Sequence, residues 1–543
     1  MRLLLLLIRT SRWDAIIGII AGLAGGLSAS GFAWVLQATI AQKGEHLATY
    51  ALAFIGCWLT YGLGAVLAGN RITRVAQRAV RELRLSISRR ILALPLPTLE
   101  RDHERIFPVL TEDIAAIATT ASRLPSVIAA FATVVGCFIM LSFIAWPLAL
   151  ACLGLLLAAL GLYVLPLRRF QHHLAIWRGD WDHFSTLLNA IVHGHKELIL
   201  DQRKRTAFLN QQLEPIARKQ EVEMTSANTW EILIKRWGEL LLLLGLGLLL
   251  FTLPWHSWAT YEQFGRFLFV TLFILAPLST LVGFSTDLSR VKLSISRINH
   301  LGVFLNQSAE VLPTAAAPAT AVLPRLALND ISYHHTRKSR PAFSLGPITL
   351  AFDRPEVVLI SGGNGSGKTT LLKVICGLYP AAKGTITIDD QPLSATTLEA
   401  HRARFAVVFS DFFLFPSLLG YEQTPTEESE RLLKEMKLDR HVQVNDRGEF
   451  STTQLSQGQR KRLALISALL EDKPVYIFDE WAADQDPGFR RYFYERILPD
   501  LRDRGKLVLA ISHDEAYYHL ADRNLHLVDG AITQDSRPVP VPS

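Results

Sequence analysis

The chain has 543 residues, a formal charge of +7 and an apolar half that is unevenly spread: long uncharged runs fill the first 290 positions, and charge and turn residues dominate the rest. That length exceeds one ordinary core, so a membrane part followed by a soluble part is expected. The four cysteines, Cys57, Cys137, Cys152 and Cys376, have no paired spacing, which argues against a disulfide framework or a cysteine metal site.

The opening MRLLLLLIRT resembles a signal peptide, yet it runs into Arg12 and Trp13 without a small-residue cleavage site. It reads as an amphipathic segment at the cytoplasmic surface, with no transit peptide or lipidation motif. A spanning helix needs about 20 mostly apolar residues. Six stretches meet that need: 15–38, 48–69, 124–145, 148–167, 237–254 and 264–286. Ala145-Trp146-Pro147 reads as a hairpin break, and Pro254–Trp258 as a short loop with interfacial aromatics. Buried soluble helices are the competing reading, and six such lengths in one chain weigh against it.

Basic residues set the orientation. Arg71, Arg74, Arg78, Arg81, Arg84, Arg89, Arg90, Arg101 and Arg105 follow the second stretch, and Arg168, Arg169, Arg178, Lys196, Arg203, Lys204 and Arg205 follow the fourth. The short connections on the other side carry almost none beyond Lys43. Both long loops and both termini are therefore expected in the cytoplasm. Topology in a lipid bilayer accounts for the positive charge, and no nucleic-acid partner is implied. The two long loops turn near Pro97–Arg105 and His195–Gln202, well placed to touch a soluble motor, although a solvated charged face remains the plainer alternative. Ionisable residues inside spans default to functional candidates. Glu239 with Arg236 fits either a polar cavity or an interfacial ion pair, and Arg266 either lines a cavity or snorkels. Pro277 is placed to kink the last span.

Residues 306–324 form an Ala/Pro-rich tether at a domain boundary. Beyond it, the strand Val357–Ile360 enters a glycine loop and a helix leaves it. Gly362, Gly367, Lys368 and Thr369 fit G-x-x-x-x-G-K-[ST] in the required strand–loop–helix setting. Backbone N–H groups of such a loop close around phosphate, helped by the helix N-terminus. Lys368 is expected on the β- and γ-phosphates of ATP and Thr369 on Mg²⁺. A second buried strand, Pro474–Phe478, ends in Asp479 and Glu480; the first suits water-mediated Mg²⁺ binding, and the second suits general-base activation of water.

Between these elements lies Leu455-Ser456-Gln457-Gly458-Gln459, followed by an apolar helix. Here the chain resembles the ABC transporter ATPase, with Gln457 replacing one glycine of LSGGQ. The resemblance implies that Gly362, Asn364, Gly365, Ser366, Gly367, Lys368, Thr369 and Thr370 bind ATP. It also implies that Ser456, Gln457, Gly458 and Gln459 serve the nucleotide of a second copy, so that a homodimer sandwiches two ATP. Asp486 occupies the usual acid of the D-loop, and His513 in Ile511-Ser512-His513-Asp514 is the expected γ-phosphate sensor. Two positions depart from the family. Ser410 stands where the Q-loop glutamine belongs, leaving Asp411 or water as substitutes, and His335 stands where an adenine-stacking tyrosine is usual, with Tyr333 the other ATP-binding candidate there though expected to point into the core.

The whole chain resembles a domain-swapped ABC exporter half: six transmembrane helices over 1–305, a linker over 306–324, an α/β P-loop ATPase domain over 325–536 and a tail over 537–543. The Asp479–Pro487 stretch, DEWAADQDP, is similar to the bacterial cyclic-peptide exporter family, which includes pyoverdine-type siderophore-precursor exporters and lasso-peptide microcin exporters. That similarity implies a cyclic or modified peptide moved from cytoplasm to periplasm through the bacterial inner membrane. With no room for a processing peptidase before the first span, the substrate is expected to arrive already processed or never to need trimming. A lipid flippase or multidrug exporter shares every catalytic motif, and an ATP-gated channel or regulator is the non-enzyme alternative.

Overall fold

The computed structural model describes residues 12–41, 46–100, 106, 109–252, 260–308, 322–335, 343–421 and 426–537. The chain forms two compact units, Met1–Leu92 with Asp102–Gln307 and Ala93–Arg101 with Ser308–Ser543.

The first unit is helical, because long apolar runs that enter lipid must satisfy every backbone group internally. Its main helices are α1 (Arg12–Ala41), α2 (Leu47–Leu92), α3 (Leu124–Ile144), α4 (Trp146–His193), α5 (Glu214–Thr252) and α6 (Tyr261–Ser308). Among the described residues, five helices are long and apolar enough to cross a membrane: those spanning Arg12–Ile40, Leu47–Leu92, Val109–Ile144, Trp146–His193 and Glu262–Asn299. The remaining expected span, 237–254, occupies the last part of α5, and its final residues lie outside the described ones, as do the opening ten residues and Pro254–Trp258. Helix α2 has 46 residues, about 70 Å at 1.5 Å per residue. That is more than twice the apolar core of a bilayer, so its arginine-rich second half projects beyond it. Helices α3 and α4 meet at Ala145, whose extended backbone (φ −158°) and following Pro147 make the expected break.

Helices α1 and α2 pack through small residues. A Cβ added at Gly64 would lie 2.8 Å from the Ala21 carbonyl oxygen and 3.1 Å from the Gly25 Cα, so the backbones themselves touch. Asp14 of α1 holds Arg71 and Arg78 of α2 at 2.6 and 3.1 Å. Glu231 of α5 meets Arg290 of α6 at 2.5 Å, and Asp287 of α6 meets Arg123 at 2.7 Å. Arg236 and Glu239 pair at 2.7 Å one helical turn apart, the ion-pair alternative read from the sequence. Arg266 pairs with Glu262 at 2.6 Å and lines a cavity of about 700 Å³ with Ser30, Trp34, Gln37 and Gln263. Helix α6 runs unbroken through Pro277 to Ser308, into the expected tether; residues 309–321 lie outside the described ones.

The second unit is α/β. Among its described residues, an antiparallel sheet in the order β2-β1-β4-β5 joins β1 (Leu326–His334), β2 (Ser344–Phe352), β4 (Lys383–Ile388) and β5 (Gln391–Pro392). A larger sheet runs β10-β9-β3-β8-β7-β6, with β3 (Val357–Gly362), β6 (Phe405–Val408), β7 (Val475–Asp479), β8 (Leu507–Ile511), β9 (Arg523–Val528) and β10 (Ala531–Ser536). All its pairings are parallel except β9 with β10. Strands β3, β7 and β8 are β-branched and aromatic runs buried on both faces, as parallel strands require. Residues 96–100 add a helical turn to this unit, and Leu96 packs against the core that contains Leu371 and Tyr379.

Candidate functional site

Parallel sheets place their ligand sites outside the carboxyl ends of the strands. Here Gly362 ends β3, Asp479 ends β7, Ser410 follows β6 and His513 follows β8. Beyond Gly362 the chain turns on Gly362 (φ +141°) and Gly367 (φ +101°) into helix α7 (Lys368–Ile375). A Cβ at Gly367 would fall 2.6 Å from the Phe343 ring, so only glycine fits there. Asn364 and Gly365 are exposed on the loop, while Ser366 is buried beneath it.

Lys368 is 6% exposed, and its Nζ donates to the carbonyls of Gly362 and Gly363 at 2.8 and 3.0 Å, bridging the loop. Burial lowers its pKa, while Glu480 and Asp479 pull the other way. Asp479 is 1% exposed. It accepts the Thr369 hydroxyl at 3.0 and 3.2 Å and the Ser410 hydroxyl at 3.1 Å. Burial raises the Asp479 pKa, and these hydrogen bonds oppose that rise. The short Ser410 therefore reaches the same carboxylate as Thr369, whereas Asp411 beside it is exposed. Glu480 follows in a left-handed backbone (φ +51°), with its Oε1 3.2 Å from His513 Nε2.

At the end of β1, His335 packs edge-on to Tyr333 and Tyr379, at centroid distances of 5.0 and 5.7 Å. Its Nε2 lies 3.4 Å from the Thr370 hydroxyl. Tyr333 is buried and stacks on Tyr379 at 4.8 Å, matching its expected inward direction. Sequence reasoning missed the next layer. The Tyr379 hydroxyl donates to Glu100 at 2.6 Å, and Lys373 reaches the other Glu100 oxygen at 3.0 Å. Burial, together with Glu100, pushes the Tyr379 phenol well above its ordinary range. No spacing signal links these residues, because Glu100 and Tyr379 lie 279 positions apart.

Ser456, Gln457, Gly458 and Gln459 form a second cluster at the start of helix α8 (Gln457–Leu470). Ser456 caps α8 reciprocally with Gln459, a capping box that satisfies two otherwise orphaned N–H groups. Gly458 lies so close to Asp484 that an added Cβ would sit 2.9 Å from its carbonyl oxygen. Asp486 caps the helix Pro487–Tyr492, accepting from Gly488 and Phe489 N–H at 3.1 Å each, and its carboxylate lies 3.7 Å from Arg462.

Residues 345–483 match the family model described as ABC transporter, and residues 15–198 the one described as ABC transporter transmembrane region. ATP-binding protein SyrD of Pseudomonas syringae pv. syringae is 31% identical over 93% of this chain and 92% of its own. An ATP-dependent lipid A-core flippase of Thiobacillus denitrificans is 23% identical over 91% of this chain and 87% of its own. In fold, the chain is similar to a solved bacterial Atm1-family ABC exporter with ATP bound: TM-score 0.75, 18% identity, 98% of this chain and 95% of that one.

Proposed function

Since the chain belongs to the ABC transporter family, as an exporter half that couples an ATPase domain to a multi-pass transmembrane domain, we propose that it exports a cyclic or modified peptide, such as a siderophore precursor or microcin-like product. It works as a homodimer by alternating access in the bacterial inner membrane, moving its substrate from cytoplasm to periplasm, with the ATPase domain and both termini cytoplasmic.

The observation that carries the motor half of this reading is the convergence of Thr369 and Ser410 on Asp479, beside the Glu480–His513 pair. Two hydroxyls around one buried carboxylate are the hard oxygen donors that Mg²⁺ takes, so Thr369 and Asp479, with Ser410 in support, would hold it. Bound there, Mg²⁺ supplies neutralisation of charge on the β- and γ-phosphates. Lys368 grips the same phosphates, and the backbone N–H groups of residues 362–370 surround them. His335 stacks on adenine, and Glu480 takes the proton of the attacking water, with His513 as its γ-phosphate-facing neighbour. Ser456 and Gly458 of a second copy close each site from the other side.

For the cargo, support comes from the resemblance of the Trp481-containing DEWAADQDP stretch to the cyclic-peptide exporter family, and from the α1–α3–α6 cavity. Arg266, Gln37 and Gln263 there offer polar groups beside Trp34, a lining suited to peptide amides within an apolar wall. A lipid substrate is the second reading, favoured by the likeness to a lipid A-core flippase.

The test uses full-length protein in nanodiscs and in inside-out vesicles. Glu480→Gln is expected to lower ATP turnover by a factor of about 100 or more, in the range seen when a catalytic group is removed. Turnover unchanged by that substitution would sink the catalytic assignment. ATP-dependent uptake of cyclic peptides, and not of lipid A-type lipids, is the expected cargo result; the reverse outcome establishes the flippase.

A further inference from the structure

We propose that Lys461 is a positioning residue that holds Glu480 in its working backbone conformation and welds it to the start of helix α8. In this way the acid serving one nucleotide and the helix end serving the other move as one block. The inference rests on the ATP-site reading above.

Lys461 lies in the first turns of α8 and is 3% exposed. Its Nζ donates to the Glu480 carbonyl oxygen at 2.9 Å and pairs with the Asp484 carboxylate at 2.7 Å. Its own carbonyl accepts the Trp481 indole N–H at 2.8 Å. One lysine thus fastens the Glu480–Asp484 turn at three points. Glu480 needs such a fastening, because a left-handed backbone is strained for any residue with a Cβ and persists only where its surroundings enforce it. Trp481 completes the clamp from below: it is 1% exposed and stacks on Phe493 at 4.5 Å.

The neighbouring contacts point the same way. Gln485, 5% exposed, donates to the Gly458 carbonyl at 3.1 Å and accepts from Arg462 at 3.1 Å. Arg462 lies 3.8 Å above the Phe489 ring. Residues 480–486 and the start of α8 are therefore joined by several polar bonds, the Trp481–Lys461 one buried and the others partly so. A buried ammonium is costly unless fully partnered. The Lys461 ammonium has a carbonyl and a carboxylate as partners, both from the catalytic turn, which ties its presence to the geometry of Glu480.

Steady-state ATP hydrolysis by full-length protein in nanodiscs tests the proposal with Lys461→Met, Asp484→Asn and Glu480→Gln. Lys461→Met keeps the aliphatic stem and removes both Nζ bonds. Its kcat is expected to fall about tenfold or more, the scale of effect that displacing a reacting group by a fraction of an ångström produces. Its KM for ATP should change less than about threefold, because Lys368 and the phosphate loop are untouched. Asp484→Asn, which leaves the bond to the Glu480 carbonyl in place, should lower kcat by a smaller factor at unchanged KM. Adding it to Lys461→Met should lower kcat no further, since both remove the same constraint. Wild-type kcat in a folded Lys461→Met protein overturns the proposal. If Lys461→Met does not fold, Asp484→Asn decides: a reduced kcat at normal KM and melting temperature supports positioning, and an unchanged kcat overturns it. Glu480→Gln separates the two layers, since full activity in that variant refutes the catalytic reading itself, whatever Lys461→Met does.

Discussion

His401 lies beneath the phosphate-loop helix, 1% exposed, with its Nε2 2.8 Å from the Ile375 carbonyl oxygen. Burial pushes its pKa down to about 4 from an ordinary 6.5. The depressed value means that the unfolded chain binds the proton more readily. Stability is therefore complete above pH 6.5 and is lost as pH falls from 6.5 towards 4. At pH 5 this one group costs about 2 kcal/mol, and His401→Gln should remove that part of the acid sensitivity, measured as the melting-temperature difference between pH 7.5 and 5. Within the site, Lys368, Thr369, Asp479, Glu480 and His513 were legible because the chemistry sits in short local patterns. The landing of Ser410 on Asp479 was not, since a side chain's reach across two strand ends leaves no trace in spacing. Lys461 was visible only as one of three basic residues after the LSQGQ stretch; its role depends on Asp484 and Glu480 folding back over α8.

Among the elements, the parallel strands and long spans were readable from apolar runs, and the break at Ala145 from its proline. The boundary between α6 and the tether was less so, because helix propensity carries α6 on to Ser308. Asp486 shows how an element's own needs complicate a functional reading. It stands at a family nucleotide-site position, yet it caps the helix Pro487–Tyr492. Asp486→Ala should cost about 1 kcal/mol of stability through the lost cap. Asp486→Asn keeps an acceptor for both N–H groups and should melt normally. A loss of ATP turnover in the Asn variant without a change in melting temperature assigns the charge to the nucleotide; loss only in Ala assigns the residue to the helix.

At the scale of the whole molecule, the homodimer reading makes a prediction about mixtures. Lys368→Ala and Ser456→Arg chains should each be inactive alone, since each homodimer carries the lesion in both sites. Co-expressed, the mixed dimer has one site with both lesions and one with neither. ATP turnover by mixed dimers isolated with two tags should rise at least several-fold above either parent, whereas sites completed within a single chain would give no recovery. The small-residue contact of α1 with α2 belongs to this scale as well, because backbones in direct contact leave no side chain between the two helices to repack.

The helical turn at residues 96–100 belongs to the ATPase unit, though the stretch Asp102–Gln307 of the transmembrane unit separates it from the rest of that unit in sequence. Glu100 emerges from the ribosome 279 residues before Tyr379. At about 5–20 residues per second that is an interval of roughly 15–55 s. During it Leu96 and Glu100 have nothing to dock on, and the rest of the transmembrane unit, Asp102–Gln307, is made. The motor therefore folds around a piece of chain made early, so its last step of assembly is set by the pace of synthesis. A soluble fragment beginning at residue 308 lacks that piece, and leaves Lys373, Tyr379 and the apolar seat of Leu96 facing water.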